Sequence, residues 1–263
     1  MNLSNLNYVR MLRTLLDTDQ TYGAGMRWVG PVTYTVDLAG GVPMPWGRYI
    51  PMHCALAETA WQFQGDDRTD WLDQWAPWMW EADHLPGTTI LSAAYGSRWL
   101  GHIDAALTTL RKNPDSRRVQ LLTWREDDVW SDGQPPCMVQ VGLRIRGGKL
   151  HTTVHARGQD VMLGVPWNVA NFGFLATYMA REIEVDPGPL SFLVAELHLY
   201  PSHEAAARAV IQRGPCGAPV CPVPEISIGQ LRIKLVAEKF VEDMRKRDRE
   251  FKSVLPNIKV SRP

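Results

Sequence analysis

Gln134-Pro135-Pro136-Cys137-Met138 begins the stretch on which the reading of this chain turns, and it continues through Arg157-Gly158-Gln159-Asp160-Val161-Met162-Leu163-Gly164-Val165-Pro166-Trp167-Asn168 to His198-Leu199-Tyr200. Residues 139–145 and 150–156 alternate like strands, and Gly147-Gly148 between them is a two-residue hairpin signal. A sheet therefore surrounds Cys137. A lone cysteine after two prolines is ordinarily a small buried hydrophobe. Here a thiol, a guanidinium, an amide and a His-x-Tyr follow one another at separations that suit nucleotide chemistry, which makes Cys137 the candidate nucleophile. A thiol with an ordinary pKa of about 8.5 is already a few per cent thiolate at neutral pH, and a guanidinium such as Arg157 raises that fraction.

Working outward, residues 32–38 and 119–124 carry the β-branched alternation of strands. Helical spacing marks residues 5–16 behind a Ser4 or Asn5 cap, residues 54–63 and 71–80 with many aromatics, residues 168–182, and residues 202–213 behind a Ser202 cap. Most of the tryptophans are assigned to the core. The charged run 238–252 reads as a solvated helix or edge. Strands and helices in this irregular order give the class α+β.

Composition narrows the function classes. A chain of 263 residues with 45% hydrophobic content can bury one substantial core, and residues 1–263 are read as one domain. The 28 basic and 28 acidic residues cancel, so no global field draws the protein to nucleic acid or to an anionic membrane. The ligand is then a small molecule, its phosphate held by a local cluster such as Arg117-Arg118 after Asp115-Ser116, where each guanidinium offers a fork of donors. No repeat, low-complexity tract or bilayer-length apolar run is present. Cys54, Cys137, Cys216 and Cys221 are too few and too scattered for a disulfide framework, and no signal-like segment follows Met1, which together read as a cytoplasmic protein. The Cys216-x4-Cys221 pair lies in a Pro/Gly-rich loop without a matching His or Cys pair, so a plain loop is preferred to a zinc site and no metal is called for.

The order of these motifs closely resembles the thymidylate synthases and their relatives, the pyrimidine-nucleotide hydroxymethylases. Ala57-Glu58-Thr59-Ala60-Trp61-Gln62-Phe63-Gln64-Gly65-Asp66, Tyr95-Gly96 and Pro256-Asn257-Ile258-Lys259 fit the family's other segments, so the resemblance covers most of the chain. It implies a thymidylate-synthase-like α+β fold, a mixed β-sheet packed with helices, forming a homodimer through the sheet. Arg117 and Arg118 would then reach the partner's active site and bind the nucleotide phosphate with Arg157. The resemblance further implies that Cys137 attacks C6 of the pyrimidine, making C5 nucleophilic toward the one-carbon unit of 5,10-methylenetetrahydrofolate. Glu58 would organise the proton-transfer waters, with Tyr95 and Asp160 supporting the site. His198 and Tyr200 would hold a sugar hydroxyl, and Trp80, Asp160, Gly164 and Trp167 would face the folate.

Departures from the family bear on the outcome. Thr21-Tyr22-Gly23-Ala24-Gly25 lacks the family's N-terminal arginine, and Gly158 replaces its phosphate-binding serine, so phosphate recognition is altered. Met138 and Ala156 stand where a synthase has His and Gln, and Leu91-Ser92-Ala93-Ala94 resembles the small, polar hydroxymethylase version. The synthase's apolar closing tail is replaced by Val260-Ser261-Arg262-Pro263. Asn168 offers one acceptor and one donor, matching uracil, although a flipped amide matches cytosine. The favoured reading is hydroxymethylation of a uracil nucleotide, dUMP or UMP, with water capturing an exocyclic methylene. The alternatives are a divergent thymidylate synthase, a cytidylate or deoxycytidylate hydroxymethylase, and a catalytically silent nucleotide- or RNA-binding homologue.

Overall fold

The computed structural model describes residues 5–130, 134–214, 219–255 and 257–260. Ser4, Cys216, Pro256 and residues 261–263, all invoked above, lie outside the described residues. In chain order the elements are α1 (Asn5–Asp17), β1 (Thr21–Tyr22), β2 (Met26–Val29), β3 (Val32–Val36), β4 (Val42–Pro43), α2 (Met52–Gln64), α3 (Tyr95–Arg98), α4 (His102–Lys112), β5 (Gln120–Leu122), β6 (Met138–Arg146), β7 (Lys149–Ala156), β8 (Gln159–Asp160), α5 (Gly164–Glu182), β9 (Asp186–Val194), β10 (Leu197–Leu199), α6 (Glu204–Arg213), β11 (Val220–Cys221), α7 (Ile228–Leu231) and α8 (Lys234–Val254).

The central sheet has five strands in the order β3-β9-β7-β6-β5, parallel only between β7 and β9. Its hairpin between β6 and β7 turns on Gly147 and Gly148, whose φ angles of 56° and 73° are those a two-residue turn of this hand requires. A second sheet, β1-β2-β10-β8, repeats the neighbour order of the first: β2 precedes β3, β10 follows β9 and β8 follows β7. Each pair is separated by two residues, Gly30-Pro31, Ala195-Glu196 and Arg157-Gly158, and the three breaks lie side by side. Hydrogen bonds cross them, from Ala195 N–H to Ala156 O and from Gln159 N–H to Glu196 O, both at 2.9 Å. The strands thus bend together along one line instead of ending there. Gly30 permits the bend, because a Cβ at that position would lie 2.2 Å from Ala195 O.

Alternation along the strands buries Tyr34, Val36, Val141, Leu143, Leu150, Val154, Leu190 and Phe192 on one face of the sheet. Against it packs α5, apolar nearly all round, and α5 in turn carries α2. The opposite face carries Thr33, Thr35, Thr153, His155, Ser191 and Leu193, with Thr35 Oγ1 and Ser191 Oγ 3.0 Å apart. Behind α2 lies α8, which buries Ala237, Val241, Met244 and Asp248 at helical spacing, so the charged run is solvated on its outer face alone. Asp248 accepts hydrogen bonds from the free Met52 and His53 N–H groups at the start of α2, at 3.1 and 2.8 Å.

Other expectations are corrected. Residues 71–80 hold only a 3₁₀ turn, Leu72–Gln74, because Pro77 disfavours helical backbone at Ala76 and supplies no N–H of its own. Trp78 there is 56% exposed, not core. Helix α5 begins at Gly164, four residues ahead of its predicted start, and accommodates Pro166 within its first turn. Ser202 lies in a 3₁₀ turn, and α6 starts after His203 without a side-chain cap. No described helix is long and apolar enough to cross a membrane.

Candidate active site

The bend in the sheet brings together several of the polar residues singled out above, Arg117 and Arg118 excepted. Cys137 immediately precedes β6, and its carbonyl accepts the Arg157 N–H at 2.9 Å, which seats the thiol beside the break between β7 and β8. Arg157 turns its guanidinium onto the same loop, donating to Pro136 O and Pro135 O at 3.0 Å each and standing 3.9 Å from Cys137 Sγ. Trp124 Nε1 also donates to Pro136 O, at 2.9 Å, and fixes the loop from the other side. Burial pushes the half-buried thiol upward; Arg157 opposes this, while the Asp83 and Asp160 charges reinforce it. The net direction is up, so the free thiol holds its proton more firmly than Arg157 alone predicts.

On the other side of Cys137 lies a cavity of about 50 Å³, lined in part by Glu58, Gln62, Trp80, Asp83, Ala93 and Tyr95. That volume accommodates ordered water. Glu58 projects from the middle of α2 and is 3% exposed, which rules out a surface carboxylate. Its Oε2 accepts the Trp167 indole N–H, and Gln62 Nε2 donates to Oε1 at 3.5 Å. Burial raises the Glu58 carboxyl to about 7, the Trp167 bond opposing it. Burial, with the Cys137 and Glu58 charges, likewise holds the Tyr95 phenol protonated. Gly96 lets Tyr95 approach, since a Cβ there would meet Gln62 O of α2 at 2.4 Å.

A second group lies across the bend. Asp160 Oδ1 accepts the Met162 N–H at 2.8 Å and its Oδ2 stands 3.6 Å from His203 Nδ1. Burial pushes the His198 imidazole down, so it is neutral at pH 7. Tyr200 meets its ring edge to face at 5.2 Å. Glu196 and Tyr22, which the motifs did not flag, join this group: Tyr22 O–H donates to Glu196 Oε1 at 2.5 Å. Gly164 and Asn168 open α5 next to Asp160, and the Asn168 amide makes no hydrogen bond among the described residues. Trp167 serves Glu58 and packs edge to face on Trp78 at 6.0 Å.

Arg117 and Arg118 do not join the site of their own chain. The pairing of Gln120 with Gly142 runs on to set Arg118 opposite Arg144, six residues along β6 from Met138, or about 20 Å from Cys137. Both arginines are exposed. Gln62 and Ala93 reach the cavity from segments quoted above and Glu196 stands two residues before His198, whereas Asp83 comes from a segment that no motif marks. Among the described residues no group of three or more His, Cys, Asp or Glu side chains is arranged to hold a metal ion. A family model described as Thymidylate synthase matches residues 7–254.

Proposed function

The chain belongs to the thymidylate synthase family and is a pyrimidine C5 one-carbon transferase, and from that premise we propose hydroxymethylation of a uracil nucleoside monophosphate as its reaction. Residues 1–263 act in this reading as one catalytic domain. Methylenetetrahydrofolate, the family's co-substrate, supplies the one-carbon unit. The Trp80 indole on the cavity wall, with Trp78 and Trp167 nearby, suits a flat heteroaromatic group.

Cys137 gives its proton to water as Sγ bonds to C6 of the ring and the C5–C6 π pair moves onto C5, the Arg157 guanidinium 3.9 Å away favouring the ionised sulfur during attack. The electron pair released at C5 forms the new carbon–carbon bond. Glu58, poised near neutrality, then takes the C5 proton through water in the cavity, and the C–N bond to the folate breaks, releasing tetrahydrofolate and leaving an exocyclic methylene on C5. Asn168 reads N3–H and O4 of uracil with an amide that no described residue occupies. His198 and Tyr200 hold the sugar, and Arg157 meets the phosphate with Arg117 and Arg118 of a partner subunit.

The observation that carries hydroxymethylation is the water-sized space itself. Ala93 and Ala94 line it beside Cys137 and Glu58, so water can reach the exocyclic methylene formed on C5. Addition of water across that methylene, with loss of Cys137 from C6, gives the hydroxymethyl product. The test is turnover in labelled water. The product should gain one CH2O unit bearing solvent oxygen, with no rise in dihydrofolate absorbance. Stoichiometric dihydrofolate and a methylated product would identify a divergent thymidylate synthase.

A further inference from the structure

The cavity beside Cys137 has two carboxylates on its wall, and the reaction as drawn above uses one of them. Glu58 enters from α2, and Asp83 from the 3₁₀ turn Glu81–Asp83. That turn is held in place: Asp83 N–H donates to Trp80 O at 2.8 Å, His84 pairs with Leu91, and Leu85 N–H donates to Ile90 O at 2.9 Å. Asp83 thus meets the cavity from the same folded-back segment that brings Leu91, Ala93 and Ala94 to it. A space of about 50 Å³ holds only a few waters, so a water in it lies close to every group on the wall.

Capture of the methylene needs a base, because the water must lose a proton as its oxygen bonds to carbon. Among the described residues lining the cavity, few can accept one. Cys137 is by then bonded to C6, the Tyr95 phenol keeps its own proton, and the rest of the wall is amide, indole, proline or aliphatic. Glu58 leaves the elimination carrying the C5 proton, and its oxygens already accept from Trp167 and Gln62. Asp83 is the acceptor that remains. Its charge also reaches Cys137, where it works against ionisation of the thiol. That placement hinders the first step of the reaction, so the role it fits lies in a later one.

We infer that Asp83 is the base for the water that captures the exocyclic methylene. The inference rests on the hydroxymethylation reading given above. As the water oxygen bonds to the exocyclic carbon, Asp83 takes one of its protons and the methylene π pair moves onto C5. That pair re-forms the C5–C6 double bond as the Sγ–C6 bond breaks, and the sulfur leaves with the electrons of that bond. Asp83 then returns its proton to the thiolate through cavity water, which restores both groups.

The experiment uses the full chain with methylenetetrahydrofolate and UMP, dUMP, CMP or dCMP tritiated at C5, in the presence of 2-mercaptoethanol, a thiol that competes with water for the methylene. Tritium release counts the methylene formed. The ratio of hydroxymethyl product to thiol adduct reads how well water captures it, and does not depend on how much of a variant is folded. Asp83→Asn should still release tritium while that ratio falls at least about tenfold, and Asp83→Glu should recover part of it. In the free enzyme, iodoacetamide should label Cys137 of Asp83→Asn faster than Cys137 of wild type, because a neighbouring negative charge is gone. An unchanged ratio in Asp83→Asn overturns the inference and assigns the water to Glu58. Tritium release lost in step with product overturns it too, since Asp83 would then serve the steps before the methylene. Failure of the hydroxymethylation reading shows in wild type alone, as methylated product with dihydrofolate or as no tritium release from any of the four nucleotides. Either result removes the water step, and the inference with it.

Discussion

Burial raises the Glu58 carboxyl from 4.5 to about 7, so the folded protein binds its proton more tightly than the unfolded chain does between those pH values. Stability linked to this group is fully present below about 4.5 and is lost as pH rises through about 7, by about 3 kcal/mol in all. Glu58→Gln cannot ionise and escapes that loss. Its melting temperature should match wild type at pH 5 and exceed it by roughly 5 °C at pH 8, while turnover collapses. An unchanged difference between the two pH values would show that Glu58 titrates normally. In wild type, kcat/KM should fall as pH drops below about 7, because the base is then protonated. Cys137→Ser is a separate test: it should fold and bind nucleotide but lose several orders of magnitude in kcat, since a hydroxyl does not ionise near neutrality. Wild-type-like turnover by that variant would remove the nucleophile from the mechanism. Cys137, Arg157 and Glu58 could be picked out as candidates from the sequence, because motif order marks residue types. The upward shift of the thiol was not, because it arises from burial and from Asp83 and Asp160, which only the fold brings near.

At the scale of elements, the approach of α3 to α2 sets the distance between Tyr95 and Glu58. Gly96→Ala would place a Cβ 2.4 Å from Gln62 O and 2.7 Å from Gln62 Cα, backbone atoms that cannot rotate away. The helices must separate, carrying Tyr95 and Ala94 out of the cavity wall. We expect a melting temperature lowered by several degrees and kcat reduced more than about tenfold, the scale of misplacing groups around a reacting centre. Unaltered kinetics would mean that α3 does not position the site. The hairpin of β6 and β7 was readable, since alternation and Gly147-Gly148 are local signals. Strand β9 was not: it begins Asp186-Pro187-Gly188-Pro189, which reads as a turn, yet it pairs between β3 and β7. The ladder is irregular opposite those prolines, between Leu150 and Thr152, which is how a central strand accommodates residues that lack an N–H. For α8 the signal was diluted, because only Ala237, Val241, Met244 and Asp248 face inward within a strongly charged helix, and one of the four is itself an acid. The bend across three strands has no sequence signature, being a property of their alignment.

At the scale of the whole molecule, the position of Arg117 and Arg118 sets the terms. They stand about 20 Å along the sheet from Cys137, farther than an arginine side chain can span. If they bind the nucleotide phosphate, they do so in a neighbouring copy. The sheet offers a face for that contact: Thr33, Thr35, Thr153, His155, Ser191 and Leu193 share the side away from α5, and Leu193 is 37% exposed there. A two-fold contact on this face is self-complementary, so each site would take Cys137 from one protomer and both arginines from the other. Two inactive variants then become informative together. Cys137→Ser lacks the nucleophile, and the double variant Arg117→Ala with Arg118→Ala lacks the phosphate clamp. In a mixed dimer one site has both defects and the other has none. Equal amounts, unfolded and refolded together, should form about half mixed dimers and recover roughly a quarter of wild-type activity. Sedimentation should give twice the chain mass for each parent. Exchange of subunits, followed by a mass tag on one variant, without any recovered activity would show that the arginines do not complete a partner's site.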